Sequence, residues 1–84
     1  MKYQTDVYRI YNKSKKLLYV GVSLNALSRY YDHLRTTKWA KESAYIKIQH
    51  FSSRDEALKE EKEAIRKEAP KFNITYNKRR WLYD

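Results

Sequence analysis

The segment Arg54 to Glu68 carries a carboxylate where an amphipathic helix should carry none. Ala57, Leu58, Ala64 and Ile65 recur at i, i+1, i+7 and i+8. At about 100° per residue, Glu61 falls in the middle of that apolar stripe. Glu56, Lys59, Glu60, Lys62, Glu63 and Arg66 sit at its edges or on the solvated side. A charged group that faces a core must be paired, protonated or bound to a metal, because an isolated buried charge is expensive. Two chemistries follow. A small rotation of the helix lets Glu61 pair with a Lys or Arg. Alternatively, Glu61 is a ligand for a hard cation, since one carboxylate completed by waters and phosphate oxygens suits Mg²⁺.

Charge narrows the class of partner. The 84 residues hold 19 Lys and Arg against 10 Asp and Glu, a formal net charge of +9. A field of that sign on a small surface attracts polyanions and speeds their capture, and the binding weakens as salt rises. Solubility alone or a preference for membrane surfaces would also account for it. Nine tyrosines and two tryptophans tilt the balance toward nucleic acid, because aromatic faces stack on bases. The absence of cysteine removes thiol catalysis, a thiolate zinc site and a disulfide framework, and it fits an intracellular protein. Met1 to Asp6 lacks the apolar stretch of a secretory signal. The longest apolar run, Leu17 to Val22, is far shorter than the roughly 20 residues a membrane-spanning helix needs. The expectation is a cytoplasmic protein that does not engage a membrane.

These residues need elements to position them. A chain of this size makes one domain, residues 1–84, able to bury roughly 60 to 65% of its unfolded surface. One Gly, one Pro and no internal repeat leave no linker. Val7 to Tyr11 is β-branched and aromatic and reads as a strand, Asn12 to Lys16 as a hairpin loop, and Leu17 to Val22 as the antiparallel partner. Leu27 to Arg35 places Leu27, Tyr30, Tyr31 and Leu34 at helical spacing, and Thr36 to Ser43 connects. Ala44 to Phe51 alternates apolar and polar residues, a third strand with one solvated face. Ser53-Arg54-Asp55-Glu56 has capping-box spacing and opens a helix to about Glu68, with Pro70 just beyond. Residues 77–84 form a basic and aromatic tail, read as a further helical turn or two. The order ββαβα predicts an α+β domain, a small three-stranded antiparallel sheet flanked by helices.

At the first two strands the chain resembles a known family. Asp6-Val7-Tyr8, eleven residues before Tyr19-Val20-Gly21, looks like the paired tripeptides that name the GIY-YIG nucleases. Arg29 and His33 match the family's R-x-x-x-H on the first helix. Glu61 and Asn73 match its helix glutamate and closing asparagine. The likeness runs from about Asp6 to Ile74 and draws its force from all six positions standing at family spacing and in order. Three departures accompany it. Asp6 replaces the first glycine and puts a carboxylate near the family's active face. Val takes the middle place of each tripeptide. Val22 stands where some DNA-repair members have a Lys, which makes phage-type and homing nucleases the nearest likeness.

The resemblance implies hydrolysis of DNA phosphodiester bonds with one Mg²⁺ or Mn²⁺ per active site, and a role for each matching residue. Glu61 would hold the cation, which polarises a nonbridging oxygen and the leaving group. Arg29 would brace negative charge on the phosphate, its other reading being a solvated helix face. Tyr8 would activate water, helped by Arg29, the metal, or a relay through Tyr19 and His33, since an ordinary phenol with a pKa of about 10 is a poor base at neutral pH. Strand packing is the ordinary reading of both tyrosines, and a surface position that of His33. Asn73 would hold the active site or a phosphate, or make a turn after Pro70. His50 has no motif support and reads as structural.

Lys13, Lys15, Lys16, Lys38, Lys47, Lys71, Lys78, Arg79 and Arg80 are candidates for backbone contacts that position DNA without reading it. The cluster Lys78-Arg79-Arg80-Trp81 extends such a groove or is a soluble tail with Trp81 tucked against the core. No specificity module is visible. Weak sequence preference or recognition of a DNA structure is therefore expected, unless a homodimer or a partner protein supplies the rest. Two other classes remain open at this stage: a basic nucleic-acid-binding module without chemistry, and a small protein, such as a phage product, that engages an acidic surface of a host factor.

Overall fold

A computed structural model describes residues 4–73 of the chain. The expected α+β order is observed. Strand β1 (Thr5–Asn12) is followed by β2 (Leu17–Ser23), helix α1 (Ala26–Thr36), a short 3-10 turn (Trp39–Glu42), β3 (Ser43–Phe51) and helix α2 (Arg54–Glu68). The sheet is antiparallel with strand order β2-β1-β3, so β1 is central. The tail from residue 77, with Lys78, Arg79, Arg80 and Trp81, lies outside the described residues.

Both faces of β1 are covered, and Thr5 through Ile10 are buried without interruption. Its alternation therefore shows as a division between two cores rather than between core and water. Tyr8 and Ile10 face α1 and the 3-10 turn, in a cluster with Leu18, Tyr19 and Ala26 that Tyr30, Trp39, Ile46, Ile48 and Phe72 complete. Val7 faces α2, in a cluster with Val20, Ala57 and Ala64. A bulge puts Ile10 opposite Tyr19 but Tyr11 opposite Leu17, so Leu18 is the extra residue and turns into the first core. On β3, Tyr45, Lys47 and Gln49 stay exposed on the α2 side, as the alternating pattern predicts.

Local chemistry sets the ends of these elements. In the hairpin loop the Asn12 side-chain oxygen accepts from the amides of Ser14 and Lys16, both at 2.9 Å, and Lys15 adopts a left-handed conformation with φ 64°. Ser53 caps α2 by accepting from the Glu56 amide at 3.2 Å, as its spacing implies. Ala69 closes α2 in the left-handed region, and its amide reaches the Ile65 carbonyl. Beyond buried Pro70, the Lys71 and Phe72 amides bond to the carbonyls of Leu17 and Leu18 at 3.3 and 2.9 Å. The chain thereby covers the outer edge of β2, which would otherwise present unpaired amides and carbonyls.

Helix α1 is turned from the expected orientation. Leu27 and Tyr31 are 53% and 64% exposed, whereas Ala26 and His33 are buried. The Asn25 side chain accepts from Ser28, and Asp6 accepts from Ala26 at 3.2 Å, which together orient the first turn. Leu27, Tyr30, Tyr31 and Leu34 share one stripe of about 100°, and the helix is rotated off it, toward Ala26 and His33, by these polar anchors.

The rotation of α2 is set by Arg9, buried on the face of β1 opposite Tyr8. Its guanidinium donates to both oxygens of Glu68, at 3.1 and 3.0 Å, and to Glu60 at 3.0 Å. The bond to Glu68 raises the pKa of Arg9 against the opposing effect of its burial, so it stays charged. Glu60 and Glu68 lie on one side of the helix, and holding both turns the adjacent Glu61 inward. Arg9→Met should lower unfolding free energy by about 1 kcal/mol, because it removes hydrogen bonds to two carboxylates that are themselves partly solvated. A urea midpoint equal to that of the wild type would show that packing alone orients α2.

Candidate active site

The two tripeptides meet face to face. Tyr8 on β1 is directly opposite Gly21 on β2, and Ile10 is opposite Tyr19, so both phenols lie on the α1 side of the sheet. A Cβ built on Gly21 would collide with the Cζ and hydroxyl of Tyr8. Gly21 is thus required by the close approach of a side chain and not by a positive φ. The tyrosine of one tripeptide occupies the space that the glycine of the other leaves open.

His33 approaches from α1. Its Nε2 is hydrogen-bonded to the Tyr8 hydroxyl at 2.9 Å, and it is 7% exposed, not a surface residue. Its ring meets Tyr19 edge-on with centroids 4.7 Å apart, while the Tyr8 and Tyr19 rings are 6.0 Å apart. Burial pushes the His33 pKa down, the charge of Arg29 pushes it further, and Asp32 opposes both. The imidazole is therefore neutral at pH 7 and can accept a proton. When Nδ1 carries the ring proton, Tyr8 donates to Nε2.

Trp39 and Phe72 complete the cluster, and sequence reasoning missed both. Trp39 stacks on Tyr19 at 5.0 Å and on Phe72 at 5.5 Å, and its ring is 5.1 Å from His33. Neither belongs to a periodic element: Trp39 starts the 3-10 turn and Phe72 follows α2. The one available signal was an aromatic in each of two connections. Lys71 lies over Phe72 at 5.1 Å, and Lys38 directly precedes Trp39, so two of the proposed backbone-contact residues flank this cluster. Lys13, Lys15 and Lys16 are exposed at the hairpin loop, and Lys47 is on the opposite face of the sheet.

The remaining motif residues are distributed as follows. Glu61 is 2% exposed on the inward side of α2, between Ala57 and Ala64. Arg29 is half-exposed on α1, 3.7 Å from Asp32, and reaches His33 through its charge rather than by contact. Asn73 is fully buried, and its side-chain amide accepts from the Val20 amide at 2.7 Å and donates to the Val20 carbonyl at 2.9 Å. It braces the middle residue of Tyr19-Val20-Gly21 from the strand edge. Asp6 is also committed: one oxygen takes the Ala26 amide and the other the Nδ1 of His50.

Gly21→Ala should displace the Tyr8 phenol, cost about 1–3 kcal/mol of stability and weaken nuclear Overhauser contacts between Tyr8 and His33; an intact Tyr8–His33 contact would refute the close-approach account. The depressed pKa of His33 also has a sign that can be measured. Below the ordinary histidine value of 6.5, the unfolded chain takes up a proton that the folded chain refuses, so stability falls as pH falls toward the folded value. His33→Gln, which keeps an acceptor for Tyr8, should flatten the decline in urea midpoint between about pH 7 and pH 5. An unchanged slope would show that other groups cause it.

Comparison with known proteins agrees with this geometry. The family model described as the UvrC-like GIY-YIG domain matches residues 4–74. UvrABC system protein C of Mesoplasma florum is 34% identical over 76 residues, which cover 83% of this chain and 13% of that protein. The chain thus spans a small fraction of this relative. Both matches are of the UvrC type, the side of the family from which Val22, standing in the place of a lysine, points away. With the tripeptides paired across one hairpin and the family match covering every described residue, the chain belongs to the UvrC-like GIY-YIG domain family, a family of nucleases.

Proposed function

We propose that the chain is a metal-dependent DNA endonuclease in which Tyr8 activates the attacking water and His33 receives the proton. The observation that carries this reading is the 2.9 Å hydrogen bond between the Tyr8 hydroxyl and a buried imidazole kept neutral. A phenol is a weak base on its own. With an acceptor already in place it needs no lasting charge: it takes a proton from water while passing its own to Nε2, and the hydroxide formed attacks phosphorus as the bond to the leaving oxygen breaks. Tyr19, Trp39 and Phe72 exclude solvent from the relay, Asn73 holds β2 in register, and Arg29 braces the phosphate at the rim.

Glu61 would hold one Mg²⁺ or Mn²⁺. The donor chemistry fits. Buried Glu61 offers a hard oxygen ligand, and waters and substrate oxygens would complete the shell. When bound, such an ion neutralises charge on the phosphate and the leaving oxygen.

The net charge of +9 supports a DNA substrate held by its backbone, with Lys15, Lys16, Lys38, Lys71, Lys78, Arg79 and Arg80 as contacts. One site cuts one strand, so a double-strand break needs two copies or two visits. A homodimer or a partner protein would supply any sequence specificity. No described helix is long and apolar enough to cross a membrane. The setting we assign is the cytoplasm, that of the host cell if the chain is phage-encoded.

Nicking of supercoiled plasmid in Mg²⁺ tests the proposal. Wild type should cut, Glu61→Ala should not, and Tyr8→Phe should be slower by about a hundredfold or more. DNA binding without cleavage by the wild type would favour a binding module instead. Absence of both would favour an acidic protein partner.

A further inference from the structure

His50 is the one imidazole that the proposed chemistry leaves unused. Asp6 is opposite His50 in the β1–β3 register and two residues from Tyr8, so His50 stands on the same face as Tyr8, one pleat along. Its side chain is 60% exposed, yet it is not loose, because Nδ1 is hydrogen-bonded to an Asp6 carboxylate that is only 11% exposed. The second oxygen of Asp6 is anchored on the Ala26 amide. The ring is therefore held from one side by a carboxylate that cannot swing away. The other nitrogen, Nε2, has no hydrogen-bond partner among the described residues.

We infer that Asp6 and His50 form a phosphate-binding position beside the reacting centre, which holds the DNA backbone next to the phosphodiester engaged at Tyr8. The Asp6 carboxylate takes Nδ1 and fixes the ring with Nε2 on its outward side, and an imidazole held between two anions donates Nδ1–H to Asp6 and Nε2–H to a phosphate oxygen. A freely rotating surface histidine would lose more side-chain freedom on making the same contact. The position also gives Asp6 a purpose. Where the family pattern has glycine, this chain has a carboxylate whose partner is supplied by the neighbouring strand. Asp6 acts through His50 and is a positioning residue. His50 touches substrate.

The inference rests on the DNA reading above, and binding measurements in Ca²⁺ or without metal separate the two. Fluorescence anisotropy with a labelled duplex and a branched DNA is run across a salt series for wild type, His50→Ala, Asp6→Asn and the double variant. His50→Ala should weaken binding roughly five- to tenfold, equally on different sequences, and reduce the slope of log K against log salt by about one. Asp6→Asn keeps an acceptor for Ala26 but removes the carboxylate that holds Nδ1 and orients the ring. It should cause a similar loss, and the double variant little more, because both act through one contact. His50→Lys should restore affinity in either background. A purely structural pair would instead lower the melting temperature of His50→Ala and leave affinity and salt slope unchanged, which overturns the assignment while the DNA reading stands. Wild type that binds neither DNA overturns both.

Discussion

The covering of β1 on both faces is the constraint from which the rest of the structure follows. A central strand with no solvated side must find a partner for every side chain, and the six consecutive buried residues Thr5 to Ile10 include Asp6 and Arg9. Neither charge can be left alone in such a place. Arg9 is answered by Glu60 and Glu68 from α2, and Asp6 by the start of α1 and by His50 from β3. The polar residues of one strand thus dictate how both helices dock, while Val7, Tyr8 and Ile10 supply the apolar area that makes docking favourable.

The same strand couples fold to chemistry. Tyr8 can reach His33 only because Gly21 leaves room beside it and α1 is rotated so that His33 rather than Leu27 or Tyr31 turns inward. That rotation is fixed at the other end of the helix by Asn25 and Asp6. Positions remote from the hydroxyl therefore determine the geometry around it. On the opposite face of the sheet Arg9 has a separate task, orienting α2 through Glu60 and Glu68.

Asn73 shows how a small domain economises on residues. Its amide satisfies both backbone groups of Val20, and the preceding Lys71 and Phe72 continue the pairing along β2. The segment after α2 closes a sheet edge that would otherwise invite pairing with another chain, and it sets Phe72 against Trp39 beside the two tyrosines. Edge protection and the wall of the site come from the same three residues.

Much of this was legible in the residues themselves. Alternation on β3, the Ser53 cap, the polar hairpin loop and the misplaced Glu61 are consequences of local periodicity and turn chemistry, which depend on neighbours a few positions away. The paired tripeptides marked Tyr8 and Tyr19 because one hairpin brings them together. What only the tertiary structure decided involves partners far apart in the chain: the rotation of α1, the burial of His33, the stacking of Trp39 and Phe72 on Tyr19, and the ties Arg9–Glu68 and Asp6–His50. The physical reason is common to all of them. A helix that can turn part-way off its apolar stripe, or an aromatic in a connection, has several orientations of similar hydrophobic gain. The choice among them falls to a few directional hydrogen bonds and ion pairs that exist only once the sheet has assembled.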